Sequence, residues 1–157
     1  MIEIKNQQGR VLWSNPDIDT LRDARLYNAK LKGAKLYGVN LRDADLSYAD
    51  LREANLAGAD LRDANLTGAD LREANLEGAD LRDANLRCAD LEDAKMHRVN
   101  LKRTNLQRAN LRRTRMFSAN LQDTKLRGAK LRGADFSYVE LSAINYFRAV
   151  FRGAELN

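Results

Sequence analysis

The sequence contains few of the residues from which catalytic and metal sites are built. Its 157 residues include one cysteine, Cys88, one histidine, His97, and one proline, Pro16. A single cysteine cannot form an internal disulfide, and one cysteine with one histidine cannot supply a zinc cluster. The sequence also has no phosphate-binding loop motif and no nucleophile with a histidine partner. We therefore expect a protein that is not an enzyme and that uses no metal or other cofactor.

Long apolar runs are missing as well. No segment approaches the roughly 18 consecutive apolar residues of a membrane span, and the first residues, MIEIKNQQGR, do not have the pattern of a secretory signal peptide. Hydrophobic residues nevertheless make up 44% of the chain, which is ordinary for a folded protein. We expect a cytoplasmic protein that folds and does not contact a membrane.

What the sequence does contain is one pattern with a period of five residues. Leu, Met, Phe or Tyr occupies every fifth position from Leu21 to Leu156, 28 positions without an insertion. On a helix, successive positions would differ by roughly 140° and would never share a face. On an uninterrupted strand, an odd period would send them to alternate faces. The pattern therefore predicts a short strand and a bend in every repeat.

The residue types assign a place to each position of the repeat. The central residue, i, and the alanine at i−2 should point inward, and the Asp or Asn at i−1 should point outward. Bend positions i+1 and i+2 often carry Arg-Asp, Arg-Glu or a second-position glycine such as Gly58 or Gly68, which tolerates positive φ. Successive coils about 4.8 Å apart could then pair as parallel strands.

These residues resemble the pentapeptide repeat proteins. The family motif A(D/N)LXX matches Ala49-Asp50-Leu51-Arg52-Glu53 and most of its neighbours, and the resemblance covers residues 19–157. It implies an all-β fold, a right-handed quadrilateral parallel β-helix with four repeats per coil. The 28 repeats would then form about seven coils.

Residues 1–18 do not follow the repeat. Two β-rich runs, Ile2-Glu3-Ile4-Lys5 and Val11-Leu12-Trp13-Ser14, flank Asn6-Gln7-Gln8-Gly9, which is typical of a hairpin, and Pro16 marks the join to the repeats. A solenoid leaves an unpaired edge and an open core at its end. We expect an N-terminal hairpin cap with Trp13 over the open core.

Charge is distributed unevenly along the repeats. The net charge is +3 for residues 1–38, −8 for residues 39–94 and +10 for residues 95–157. We call residues 39–94 the acidic waist. Residues 95–122 contain no acidic residue, and we call them the basic belt. Four arginines of this part of the chain occupy position i+2 in successive repeats: Arg98, Arg103, Arg108 and Arg113.

Some of these charges have a structural explanation. With twenty residues per coil, Arg103 would stack between Asp83 and Asp123, and Arg113 would lie over Asp93. The Asp and Arg ladders of the acidic waist would form a solvated ion-pair lattice. Arg98 and Arg108 have no acidic residue twenty positions away, and Arg112, Arg132 and Arg152 form a column of like charge. The candidate partner-binding residues are Arg98, Arg108, Arg112, Arg132 and Arg152.

Three functions follow from this pattern. The first is a non-enzymatic rigid rod that recognises a protein partner through outward side chains. The second is implied by the resemblance, because quinolone-resistance members mimic duplex DNA and bind DNA gyrase, although the net charge of +5 opposes mimicry. The third is nucleic-acid binding through the basic belt, for which Phe117 is the only nearby aromatic candidate.

The C-terminal repeats suggest a homodimer. Apolar residues there would form a continuous surface that a twofold pairing of C-terminal ends could bury. The candidate interface residues are Ile144, Tyr146, Phe147, Val150, Phe151 and Leu156.

Overall fold

The computed structural model describes residues 2–15 and 20–139. The first range is a hairpin of two antiparallel strands, β1 (Ile2–Lys5) and β2 (Val11–Asn15), in which Ile4 lies opposite Trp13. The side chain of Asn6 closes the turn, since its Oδ1 accepts hydrogen bonds from the backbone N–H groups of Gln8 and Arg10. The predicted hairpin is confirmed.

Residues 20–139 wind into coils of twenty residues. Parallel bridges join residues twenty positions apart, from Arg25 and Asp45 at the start to Arg115 and Asp135 at the end. Each bridge has the backbone hydrogen-bond pattern of a parallel β-ladder. The Leu46 N–H donates to the Asn65 carbonyl at 2.8 Å, and the Asn65 N–H donates to the Ala44 carbonyl at 2.9 Å. Four repeats therefore make one coil, as predicted.

The described residues form six such coils, coil 1 being 20–39 and coil 6 being 120–139. Residues twenty positions apart lie one above another, and we call each such set a column. The predicted seventh coil, the join at Pro16 and the predicted domain boundary after residue 18 lie outside the described residues. None of the described part of the chain forms a helix with the length and hydropathy of a membrane span.

The interior is a continuous core of central residues and small neighbours. Every central residue from Leu21 to Phe136 is buried, and so are the alanine, valine and threonine side chains at i−2 from Ala44 to Val139. A fully buried leucine contributes about 1.5–3 kcal/mol. The inward and outward positions predicted from the period of five are therefore confirmed.

Each bend is closed by a backbone hydrogen bond and has a left-handed residue. In one repeat, the Ala49 N–H donates to the Leu46 carbonyl at 3.1 Å, and Tyr48 has a φ of 58°. The same position has a positive φ in all 24 repeats from Asp23 to Tyr138, and 17 of these residues are not glycine. The sequence predicted Arg-Asp, Arg-Glu or a second-position glycine at these bends, with positive φ tolerated by the glycines. The structure shows that the other residues adopt the same conformation there at a cost of about 1–2 kcal/mol each.

The Asp or Asn at i−1 also stabilises the bend. The Asp60 Oδ1 accepts a hydrogen bond from the Arg62 backbone N–H at 3.2 Å, and Asn65 makes the same contact with Thr67. This local bond is characteristic of Asp and Asn in turns. It explains why the repeat uses these two residues, whereas the sequence analysis gave them only an outward direction.

The hairpin is attached to coil 1. Ile4 is buried in the core, and Leu12 and Trp13 pack against it while partly buried. Asn6 forms an antiparallel bridge with Ala34, and the Lys35 N–H donates to the Lys5 carbonyl at 2.7 Å. The hairpin therefore covers the N-terminal end of the core, with Trp13 placed as predicted.

Candidate functional site on the basic belt

Most carboxylates of the acidic waist are paired with basic side chains. Of its 14 acidic residues, 11 lie within 4.0 Å of a basic side chain. In the repeats centred on Leu61 and Leu71, Arg62 binds Asp60 at 2.6 Å and Arg72 binds Asp70 at 2.6 Å. The predicted ion-pair lattice is confirmed, and it contacts most carboxylates of the acidic waist, which still carries a net charge of −8.

The lattice pairs use the i−1 residue as well as the carboxylates at the bends. Arg62 donates from Nε and Nη2 to the two oxygens of Asp60 at 2.7 and 2.6 Å. These side-chain bonds hold the pKa of Asp60 below its ordinary value, and Arg72 does the same to Asp70. Each carboxylate therefore supports both the bend and the lattice.

Two arginines of the basic belt are paired with the coil below. Arg103 donates to both oxygens of Asp83 at 2.7 and 2.6 Å, and Arg113 donates to Asp93 at 2.8 and 2.7 Å. Arg113 also binds Glu92 at 2.7 Å. The predicted pairs with Asp83 and Asp93 are confirmed, whereas Arg103 makes no salt bridge with Asp123 in the described structure.

Arg98 and Arg108 have no such partner. Within the described residues, neither side chain makes a salt bridge, and both are exposed. They adopt φ values of 55° and 61°, which are unfavourable for a residue with a long side chain. Every described bend has this conformation, so these two arginines differ from Arg103 and Arg113 in their free cations and not in their backbone.

Other arginines line two recesses at neighbouring corners of the solenoid. One recess of about 490 Å³ is lined by Arg112, Arg113, Arg132 and Gly133. The other, of about 290 Å³, is lined by Arg87, Gln107, Arg108, Arg127 and Gly128. The structure therefore brings Arg112 and Arg132 together, as their column predicted, and places Arg108 in a different recess.

Arg87 and Arg127 were missed by the sequence analysis. Both belong to the column that contains Gln107, so the twenty-residue spacing could have revealed them. Arg152, the remaining predicted arginine, lies outside the described residues, as do the predicted dimer-interface residues 144–156.

An aromatic column stands beside Arg98. His97 and Phe117 lie one coil apart with ring centroids separated by 6.2 Å, and Tyr138 meets Phe117 edge to face at 5.1 Å. Phe117 is half-buried, and Tyr138 is 78% exposed. The prediction that Phe117 is the only aromatic candidate near the basic belt was wrong. His97 was recognisable from its spacing, but Tyr138 is one position out of the column, so its contact with Phe117 required the geometry of the bend.

The described residues do not form a metal site, and the single cysteine has no disulfide partner. Cys88 is a free, exposed thiol. Across residues 2–15 and 20–139, no group of three or more His, Cys, Asp or Glu side chains is arranged to hold a metal ion.

Comparison with known proteins identifies the family. The family model described as pentapeptide repeats matches in 8 copies, over residues 24–63, 64–103, 94–133 and 115–145. A search of curated proteins found no match. Among solved structures, the fold is similar to a form of QnrB1, a plasmid-mediated fluoroquinolone resistance protein, with 23% identity, a TM-score of 0.56 and coverage of 85% of this chain and 75% of that chain.

A second form of QnrB1 matches with 21% identity and a TM-score of 0.50, covering 88% of this chain and 83% of that chain. A pentapeptide repeat protein from Nostoc Pcc 7120 is 31% identical, with a TM-score of 0.48 and coverage of 72% of this chain and 84% of that chain. The repeat motif, the twenty-residue coil and the family match agree: the chain belongs to the pentapeptide repeat family and folds as a right-handed quadrilateral β-helix.

Proposed function

We propose that this protein is a non-enzymatic, rigid binding rod that holds an anionic macromolecular partner against the unpaired arginines of coils 4 to 6. The observation that carries the proposal is the contrast at the bends of the basic belt. Arg103 and Arg113 share a strained conformation with Arg98 and Arg108, but only the first two are paired with carboxylates. An exposed cation that contributes no ion pair to the fold is available to an external anion.

The neighbouring arginines extend this surface. Arg112 and Arg132 are stacked with like charge in one recess, and Arg87 and Arg127 flank Arg108 in the other. Like charges in one column repel each other, and a bound anion would relieve that repulsion. The sequence favoured a protein partner without specifying its charge; an acidic protein and the backbone of a nucleic acid both carry the negative charge that this surface requires.

The test compares two variants with the same change in net charge. The belt variant replaces Arg98, Arg108, Arg112 and Arg132 by Gln, and the lattice variant replaces Arg52, Arg62, Arg72 and Arg82 by Gln. Both are passed over immobilised polyglutamate and over immobilised heparin, and the salt concentration of elution is measured. We expect the belt variant to elute early from both columns with an unchanged melting temperature. The lattice variant should be retained but melt at a lower temperature.

Equal retention of the wild-type protein and the belt variant would contradict the proposal. Equal loss of retention in both variants would show that net charge alone governs binding, and it would contradict the proposal too.

A second candidate function is inhibition or protection of DNA gyrase by DNA mimicry. The fold shared with QnrB1 supports it, but the negative surface that mimicry requires is largely paired with arginine here. A gyrase supercoiling assay with and without a quinolone tests it directly. A change in supercoiling that persists in the belt variant would favour this candidate over the first.

The predicted homodimer stays a prediction. Light scattering on the native protein and on a Phe147→Lys, Phe151→Asp double variant checks it. A monomeric native protein at micromolar concentration would contradict it.

A further inference from the structure

We infer that the corner formed by His97, Phe117 and Tyr138 binds single-stranded nucleic acid, with bases stacked on the aromatic rings and phosphates held by the neighbouring cations. We call these three residues the aromatic strip. The inference rests on the proposed function, because it names the class of anionic partner that the basic belt receives.

The first argument is the position of the rings. The strip runs across coils 4, 5 and 6, with ring centroids 6.2 and 5.1 Å apart, and Tyr138 is 78% exposed. Four of the six described coils have Gly or Arg at position i+2 of this corner, as in Gly58, Gly78 and Arg98. The Tyr138 ring is largely open to solvent, so it is available for contact with a ligand.

The second argument is the charge around the rings. Arg98 follows His97 directly, and Lys95 and Arg115 form a neighbouring column on the flat face beside the strip. Within the described residues, none of these three cations makes a salt bridge. Asp135, the carboxylate of that column, lies one coil above Arg115, and its Oδ1 accepts a hydrogen bond from the Ser137 backbone N–H at 2.9 Å.

Rings and cations in this arrangement suit a single strand better than the alternatives. Sequence-tolerant single-strand binding combines a positively charged track with aromatic side chains on which bases stack. In a duplex the faces of the bases are covered by their neighbours, so the rings would have nothing to stack on. An acidic peptide would use the cations but would gain little from the rings.

The test is fluorescence anisotropy with a labelled oligothymidylate of about twelve nucleotides, within the ~4–16 nucleotide range of known single-strand sites. Phe117→Ala should weaken binding about fivefold or more, since one base–aromatic stack contributes ~1–3 kcal/mol. Phe117→Tyr, which keeps an aromatic ring, should bind the oligothymidylate as tightly as the wild type. Tyr138→Asn, which keeps a residue suited to the left-handed bend, should weaken binding to a similar extent without lowering the melting temperature.

A matched control is present in the same column. Tyr37 is 73% exposed and lies four coils below Phe117 at the same repeat position, but it has no aromatic neighbour in its column. Tyr37→Ala should leave oligothymidylate binding unchanged. Arg98→Gln should reduce the slope of log K against log salt by about 0.7, the value for one phosphate contact on a single strand.

The outcomes separate this inference from the proposed function. Oligothymidylate binding that is unaffected by Phe117→Ala and by Tyr138→Asn would overturn the inference. So would equal or tighter binding of a duplex of the same length. No binding of oligothymidylate, with retention on polyglutamate intact and lost in the belt variant, would overturn the inference in favour of an acidic protein and leave the proposed function standing.

Discussion

The ring of Tyr48 lies over Gly68, its neighbour in the next coil. A Cβ atom on Gly68 would stand 2.7 Å from Tyr48 Cε1 and 2.9 Å from Cδ1, although Gly68 has the same φ of 64° as Gly78, where a Cβ would meet nothing within 4 Å. Tyr48 also packs edge to face on Tyr27 with centroids 5.9 Å apart. The absence of a side chain at Gly68 is therefore needed for conformation and for space.

We predict that Gly68→Ala destabilises the protein more than Gly78→Ala. Both changes place alanine in a left-handed bend, at a cost of about 1 kcal/mol. Only Gly68→Ala also displaces Tyr48 from Tyr27, which should add about 0.5–1.5 kcal/mol for the lost aromatic contact. Urea unfolding measures both variants. In a Tyr48→Ala background, Gly68→Ala should lower the free energy of unfolding no more than Gly78→Ala does. Equal losses in the two single variants would contradict the prediction.

The lattice of the acidic waist should make stability depend on pH. The side-chain hydrogen bond from arginine lowers the pKa of Asp50, Asp60 and Asp70 in the folded protein. A carboxylate with a depressed folded pKa contributes stability that is fully present above its unfolded pKa of about 3.9 and is lost as pH falls through the folded pKa. The melting temperature should therefore fall steadily below about pH 4.

Thermal unfolding between neutral pH and about pH 2 checks this dependence. In an Asp60→Asn, Asp70→Asn double variant, asparagine keeps the bend hydrogen bond but removes both titrations. The variant should melt lower than the wild type at neutral pH, and the difference should shrink in acid. A constant difference across the range would show that the ion pairs are not the source.

The sequence predicted the architecture almost completely, because the period of five restricts the local conformation and the family resemblance implied four repeats per coil. Inward leucines, left-handed bends, the hairpin and the pairs of Arg103 and Arg113 all follow from spacing and charge. The surface was harder. Arginine pairing with i−1 carboxylates depends on side-chain reach, and the contact between Phe117 and Tyr138 joins two different columns. Such lateral contacts are invisible to a rule that relates residues only by multiples of five and twenty.

Three threonines replace alanine in the core of coils 5 and 6, and two of them should contribute through hydrogen bonds between coils. Thr104 is fully buried, and its Oγ1 donates to the Leu81 carbonyl at 2.6 Å; Thr124 makes the same contact with Leu101 at 2.7 Å. The Leu81 carbonyl also accepts the Ala84 N–H at 3.1 Å, so it keeps one partner if the hydroxyl is removed.

We predict that Thr104→Val, which keeps the branched shape, lowers the free energy of unfolding by about 0.5–1.5 kcal/mol. Thr114→Val is the comparison, because the Thr114 hydroxyl donates within its own repeat to Leu111 rather than to the coil below. Amide exchange in coils 4 and 5 should accelerate more for Thr104→Val. If the valine variant is as stable as the wild type, the interlayer bond adds nothing.

The last prediction separates stability from binding at a single bend. Arg108 has a φ of 61° and, within the part of the chain that the structure describes, makes no salt bridge. Glycine adopts this conformation without steric strain, although it loses more entropy on folding. Arg108→Gly should therefore raise the free energy of unfolding by up to about 1 kcal/mol while weakening retention on polyglutamate. Arg103→Gly relieves the same strain but also removes the pair with Asp83, so its gain in stability should be smaller.

Urea unfolding and salt elution of the two variants provide the comparison. A loss of stability in Arg108→Gly would assign Arg108 to the fold, and unchanged retention would exclude it from the binding surface.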